Sequence, residues 1–217
     1  MSIYKHKSIV KKPNYRNDYK KNDNEDWLDD SSGEQVSYED NHIYFYDEVN
    51  TKNILTLIKF IKQINTKLLM QKLEFKLKHD IEFEPTIYLH INSYGGYIVD
   101  ALSGVDAIKD SKIPITTIIE GAAASAATLL SIVASHRQIT KNSSMLIHQL
   151  SGGCGGTHEQ MKDELQNCTY LENICNKLYL EHTNRKLKKK LLEETLKHDL
   201  WWGAEKCLQY GLVDEIL

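Results

Sequence analysis

The chain has 217 residues, 41% of them apolar and 26% charged, enough for one domain with a substantial core and too few for two independent ones. A net charge of −3 gives no reason to expect nucleic acid or an anionic membrane as partner. Four cysteines, at 154, 168, 175 and 207, form no C-x-x-C pair; this argues against a zinc ribbon or a disulfide framework and for a reducing cytoplasm.

Residues 1–40 carry lysines and an arginine from Lys5 to Lys21, then acids from Asp23 to Asp40, with few large apolar side chains. Such a segment does not bury enough surface to offset its ordering entropy, so it is read as a flexible charged arm ahead of one domain over 41–217. No apolar core follows the first lysines, and no secretory signal is expected. Residues 43–46 are predicted as a strand, and apolar positions 54, 57, 58, 61, 64 and 68 predict a helix over 53–69. Residues 70–84 are charged, with Leu73, Phe75 and Leu77 alternating, and are assigned to no element. A strand is expected over 86–91, ending at Asn92-Ser93-Tyr94-Gly95-Gly96, then a helix over Ile98–Lys109 and, after Pro114, a buried strand over 115–119. The most apolar stretch, 121–134, is too short to span a bilayer and is interrupted by Ser125, Thr128 and Ser131; it reads as a buried helix. Strands near 138–140 and over 144–148, a long helix over 157–182, two shorter helices and a strand over 212–216 complete the chain. Strands alternating with helices imply an α/β domain with a largely parallel sheet.

Several residues have the chemistry for catalysis. Ser125, in Gly121-Ala-Ala-Ala-Ser125-Ala, stands between an apolar strand and an alanine-rich helix, where helix N–H groups favour negative charge and small neighbours admit a substrate carbonyl. The same position suits an N-cap serine. Gly95-Gly96 is able to present an N–H as half of an oxyanion hole, or to be an ordinary strand-to-helix turn. His148 ends an apolar run, as a catalytic base or a core histidine. Asp199, between a helix and Trp201-Trp202, suits a buried carboxylate orienting an imidazole, or a helix cap. Gly152, Gly153, Cys154 and Gly155 form a glycine-rich strand whose free edge would pair with an extended peptide, or a loop.

Other chemistries fall away. His158-Glu159 lacks the second histidine of a zincin, since Lys162 stands there, and no phosphate-binding G-x-x-x-x-G-K-[ST] occurs. Ala123 and Ala127 flank Ser125, so the α/β-hydrolase elbow is missing. Nothing near Cys154 argues for a depressed thiol pKa. No cofactor and no metal are expected.

Taken in order, these segments resemble the Clp protease proteolytic subunit. Ile91-Asn-Ser-Tyr-Gly-Gly96 is similar to that family's glycine turn, and Gly121-Ala-Ala-Ala-Ser125-Ala to its nucleophile segment. Met145-Leu-Ile-His148-Gln149 matches its histidine segment, and Asp199 with Trp201, Ala204-Glu205 and Tyr210-Gly-Leu-Val-Asp214 its C-terminal pattern. The resemblance implies Ser125 as nucleophile, His148 as general base and Asp199 as its orienting acid, with the N–H groups of Gly96 and Ala126 as oxyanion hole. It also implies a crotonase-like fold of repeated β-β-α units with a protruding helix-strand handle. Further implications are heptameric rings stacked in pairs around a chamber, protein substrates and a separate hexameric Clp ATPase. The helix over 157–182 would be the handle joining the rings. Tyr94 and Leu150 stand where the family has prolines, His198 where it has an arginine used between rings, and 70–84 reads as an insertion. Two other readings remain open: a stand-alone relative such as a phage head-maturation protease, and an inactive structural ring subunit.

Overall fold

A computed structural model describes residues 36–153 and 155–217. The charged arm up to residue 35, and Cys154, lie outside the described residues. The last part of the stretch read as arm belongs to the domain: Val36–Glu39 is a strand, β1, paired antiparallel with β2 (His42–Phe45). Its composition conceals it, because an edge strand needs only its alternate residues to be apolar, and here Val36 alone is buried, opposite Phe45. Asp40 turns the hairpin with a left-handed φ of 53°.

Helix α1 spans Thr51–His79 and is capped by the Asn50 side chain, which accepts from the Asn53 N–H. It runs ten residues past the expected end. The apolar period tracks the buried face, which stops at Leu68. Beyond it the helix is exposed and carried by Leu, Lys, Glu and Gln, with Lys78–Glu74 (2.5 Å) and Lys76–Asp80 (2.8 Å) pairs one turn apart. Strand β3 (Ile87–Ser93) and helix α2 (Ile98–Lys109) follow; α2 has the bounds expected of it.

Strand β4 covers Ile115–Ala124 and takes in residues 121–124, which composition had grouped with the buried helix; helix α3 is only Ala126–Ile132. An alanine run has no period of its own, and here pairing decides. Thr116 to Ile119 lie beside β5 (His136–Ile139), and Ala122 to Ala124 lie beside β6 (Ser144–Leu146). Gly121, at φ 92°, marks the fork between the two partners. Helices α4 (His158–His182) and α5 (Lys189–Thr195), strand β7 (Trp201–Gly203), helix α6 (Ala204–Gln209) and strand β8 (Glu215–Ile216) complete the described chain. Strand β7, which had not been expected, pairs antiparallel with β6.

The sheet runs β1-β2-β3-β4-β5-β8, parallel from β2 onward, with β6 and β7 branching from the outer end of β4. One face buries Ile43, Phe45, Leu89, Ile91 and Ile119 in the hydrophobic core; each such side chain contributes about 1.5–3 kcal/mol. On the other face His42 Nδ1 lies 2.9 Å from His90 Nε2, and His90 Nδ1 lies 3.0 Å from Glu120. Arg137 on β5 is buried and binds Asp214 through Nε (2.8 Å) and Nη2 (2.5 Å), tying the C-terminal segment to the sheet.

Candidate active site

Ser125 stands where β4 ends and α3 begins, with φ 54° and ψ −127°. A side-chain-bearing residue avoids that region at a cost of about 1–3 kcal/mol, so the surroundings must hold it there. They do so at both ends. The Ser125 N–H donates to the Leu146 carbonyl at 2.8 Å, and its own carbonyl accepts from the Thr128 N–H (3.0 Å) and hydroxyl (2.6 Å). The residue is 8% exposed.

His148 follows β6. Its Nε2 lies 3.0 Å from Ser125 Oγ, and its Nδ1 lies 2.5 Å from Asp199 Oδ1. The sheet register explains the second contact. Leu146 is opposite Trp201 in the antiparallel β6–β7 pair, so continuing that register by two residues sets His148 opposite Asp199. The Gln149 N–H, donating to the Leu196 carbonyl at 2.8 Å, ties in the end of α5. The three side chains singled out in the sequence are therefore joined in one hydrogen-bonded line. Asp199 is not the buried carboxylate that was expected: its side chain is 76% exposed against 8% for His148. It sits in the short irregular stretch between α5 and β7, and no described element covers it.

The Gly95-Gly96 turn lies directly against the serine. A Cβ on Gly95, at φ 92°, would stand 2.6 Å from the Ala124 carbonyl oxygen and 2.8 Å from Ser125 Cβ. Glycine is required there by the close approach. The Gly95 carbonyl accepts from Val49 N–H (2.9 Å), and the Tyr97 N–H donates to Val49 O (2.8 Å). With both of those groups committed to one side, the Gly96 N–H is directed to the other. Gly96, Ala126, Ser125 and His148 all line one cavity of about 220 Å³, whose walls include Ile98, Leu129, Leu150 and Tyr179. A small, mostly apolar cavity lined by a serine and an imidazole suits acyl transfer. Cys175 also lines it, but burial pushes its thiol up to about 12, which leaves it a poor nucleophile.

The glycine-rich segment departs from expectation. Gly152, Gly153 and Gly155 are exposed and belong to no strand, and a Cβ on Gly153 or Gly155 would meet nothing within 4 Å. Glycines have no side chain to pack and much entropy to lose, so they do not order as a strand without a partner. His198 pairs within its own neighbourhood, Nε2 lying 3.5 Å from Glu194. Thr128 and Tyr179 were missed as contributors to the site. Thr128 stands three residues after Ser125, a legible signal, whereas Tyr179 looks like any core residue of a long helix.

The sequence model of the Clp protease family matches residues 37–217. The chain belongs to the Clp protease family. Among solved structures, a ClpP1 mutant from Listeria monocytogenes superposes with a TM-score of 0.68 and 21% identity, over 82% of this chain and 91% of that one. The likeness is one of fold, and the α/β, crotonase-like architecture expected for a Clp protease is the one present. No helix among the described residues is long and apolar enough to cross a membrane.

Proposed function

We propose that this chain is a serine endopeptidase, the proteolytic subunit of a Clp-type protease, and that Ser125, His148 and Asp199 are its catalytic triad. The observation that carries the reading is the continuous line from Ser125 Oγ through both nitrogens of His148 to Asp199. In this mechanism Ser125 Oγ attacks the scissile carbonyl carbon while His148 Nε2 takes its proton. Asp199 accepts from Nδ1–H, which sets the tautomer and stabilises the imidazolium. The carbonyl oxygen, now negative, is received by the N–H groups of Gly96 and Ala126. His148 then protonates the departing amine, and water, deprotonated by the same imidazole, releases the acyl group from Ser125. Gly152, Gly153, Cys154 and Gly155 supply a main-chain edge that becomes a strand when an extended substrate pairs with it.

In the same reading, copies of the chain form heptameric rings stacked in pairs in the cytoplasm, with α4 joining the rings. A hexameric Clp ATPase delivers protein substrates. A fluorophosphonate or β-lactone probe tests the chemistry. It should label the wild-type protein at Ser125 and leave Ser125→Ala unlabelled. An inactive ring subunit would show no labelling in either, and labelling that survives Ser125→Ala would move the nucleophile elsewhere. Sizing the protein with and without the ATPase tests the assembly.

A further inference from the structure

Tyr179 on α4 is only 3% exposed, and a buried phenol hydroxyl needs a partner. Its partner is the Thr128 hydroxyl, at 2.5 Å. The direction of this contact follows from counting protons. Thr128 Oγ1 has one hydrogen and lies 2.6 Å from the Ser125 carbonyl oxygen, which has none. Thr128 therefore donates to Ser125 and accepts from Tyr179. Burial pushes the Tyr179 phenol above its ordinary pKa, so it stays a donor. The result is a one-way chain from Tyr179 to Thr128 to the carbonyl of the nucleophile.

That carbonyl is one end of the peptide unit whose other end is the Ala126 N–H. In a trans peptide the two point in opposite directions. Gripping the carbonyl with the Thr128 hydroxyl and N–H thus aims the Ala126 N–H away from α3, towards the cavity that Ala126 lines. The backbone at Ser125 is strained, so the peptide plane has somewhere to relax to if the grip is loosened.

We propose that Thr128 and Tyr179 are positioning residues for the oxyanion hole, the α4 hydroxyl polarising and fixing Thr128 so that the Ser125–Ala126 peptide plane keeps its N–H on the developing oxyanion. The inference rests on the serine-peptidase reading above. It makes the seating of α4 a determinant of turnover through a single hydroxyl.

The test uses the full-length protein and four forms: wild type, Tyr179→Phe, Thr128→Val and Thr128→Ser. Turnover of a short fluorogenic peptide, affinity for a peptide boronate that mimics the tetrahedral adduct, and Tm are measured on each. Loss of one oxyanion donor costs about 10²–10³ in kcat, and a misaimed one costs less. Tyr179→Phe and Thr128→Val should therefore lower kcat about ten- to hundred-fold with KM nearly constant, and weaken the boronate by a similar factor. Thr128→Ser, which keeps the hydroxyl, should recover most of the rate. The double variant Tyr179→Phe/Thr128→Val should be no worse than the poorer single one, because the two act as a unit. Wild-type kcat and boronate affinity in both single variants, with Ser125 of the wild type still labelled by the fluorophosphonate, would overturn the proposal. So would a change confined to KM. A wild type that is not labelled would instead remove the peptidase reading, and this inference with it.

Discussion

A Cβ on Gly96 would lie 2.1 Å from the Val49 carbonyl oxygen, whereas one on Gly153 or Gly155 would touch nothing within 4 Å. Gly96 lines the cavity, whereas the segment holding Gly153 and Gly155 leaves it after Ser151, so the site has an inner and an outer half. The inner half comprises Ser125, Ala126 and the Gly95-Gly96 turn, and it is over-determined by backbone hydrogen bonds and close approach. The outer half comprises Asp199 together with Gly152, Gly153 and Gly155, all exposed. The inner half stores strain because the rest of the fold enforces it. The outer half has its geometry at hand but few packing contacts to defend it. A site built this way has a tightly bonded centre and an exposed rim.

The largest effect should come from the outer half. Asp199→Asn should cut kcat by about 10⁴, because the amide sets the wrong imidazole tautomer. Asp199 itself is largely exposed, so the pair is worth only about 0–1 kcal/mol in stability and Tm should scarcely move. Peptidase assays and calorimetry on the same sample would separate the two, and near-normal turnover would strip Asp199 of its role. The inner half should respond in the opposite manner. Gly96→Ala should lose about 3 kcal/mol or more of stability, since its Cβ meets backbone that has nowhere to go. Activity should fall with it, and a denaturant midpoint unchanged from wild type would show that the turn can shift after all.

A pair remote from the cleft calibrates both. Burial pushes the Asp214 carboxyl up, but the hydrogen bond and charge of Arg137 outweigh that and hold it below its ordinary value. A carboxyl depressed on folding contributes stability that is present above its unfolded pKa, near ~3.9, and is lost as pH falls through the folded value. Asp214→Asn should therefore cost about 2–3 kcal/mol at neutral pH, leave kcat per folded subunit intact, and flatten the decline in stability below pH ~4. Urea titrations between pH 3 and 7 would show whether the two curves converge in acid. The smallest effect belongs to the glycine-rich rim. Gly153→Ala should stay within about 0.5 kcal/mol of wild type. If the segment pairs with substrate, Gly153→Pro should raise KM several-fold by deleting an N–H. An unchanged KM would argue for a plain loop.

Much of the layout is legible from local pattern. Helix α2 begins and ends where it was expected, between the Gly95-Gly96 turn and Pro114, because glycine and proline punctuate the chain locally. The long helix α4 starts beside Thr157, whose side chain and that of Gln160 form a reciprocal capping box. Pattern fails where burial stops while structure continues. Residues 70–79 stay helical through propensity, ion pairs and the Phe75–Phe83 ring contact rather than a buried face, and β1 contributes a single buried residue. The catalytic candidates are a third case. Ser125, His148 and Asp199 were recognisable from the segments around them, but no local feature says that they meet.

By itself the sequence determined which residues have the right chemistry and which family pattern they spell, since both are properties of short segments. Only the tertiary structure decided that residues 121–124 form strand rather than helix, that Asp199 stands in the open, and that a tyrosine on α4 bonds Thr128, which in turn bonds the Ser125 carbonyl. Each of those outcomes depends on partners far along the chain: Ser144 to Leu146 for the alanines, the β6–β7 register for Asp199, and Thr128, 51 residues away, for Tyr179. Propensity and periodicity report the preferences of a few neighbouring residues. Contacts of this range are set by how whole elements pack, where shape, register and desolvation outweigh any local preference.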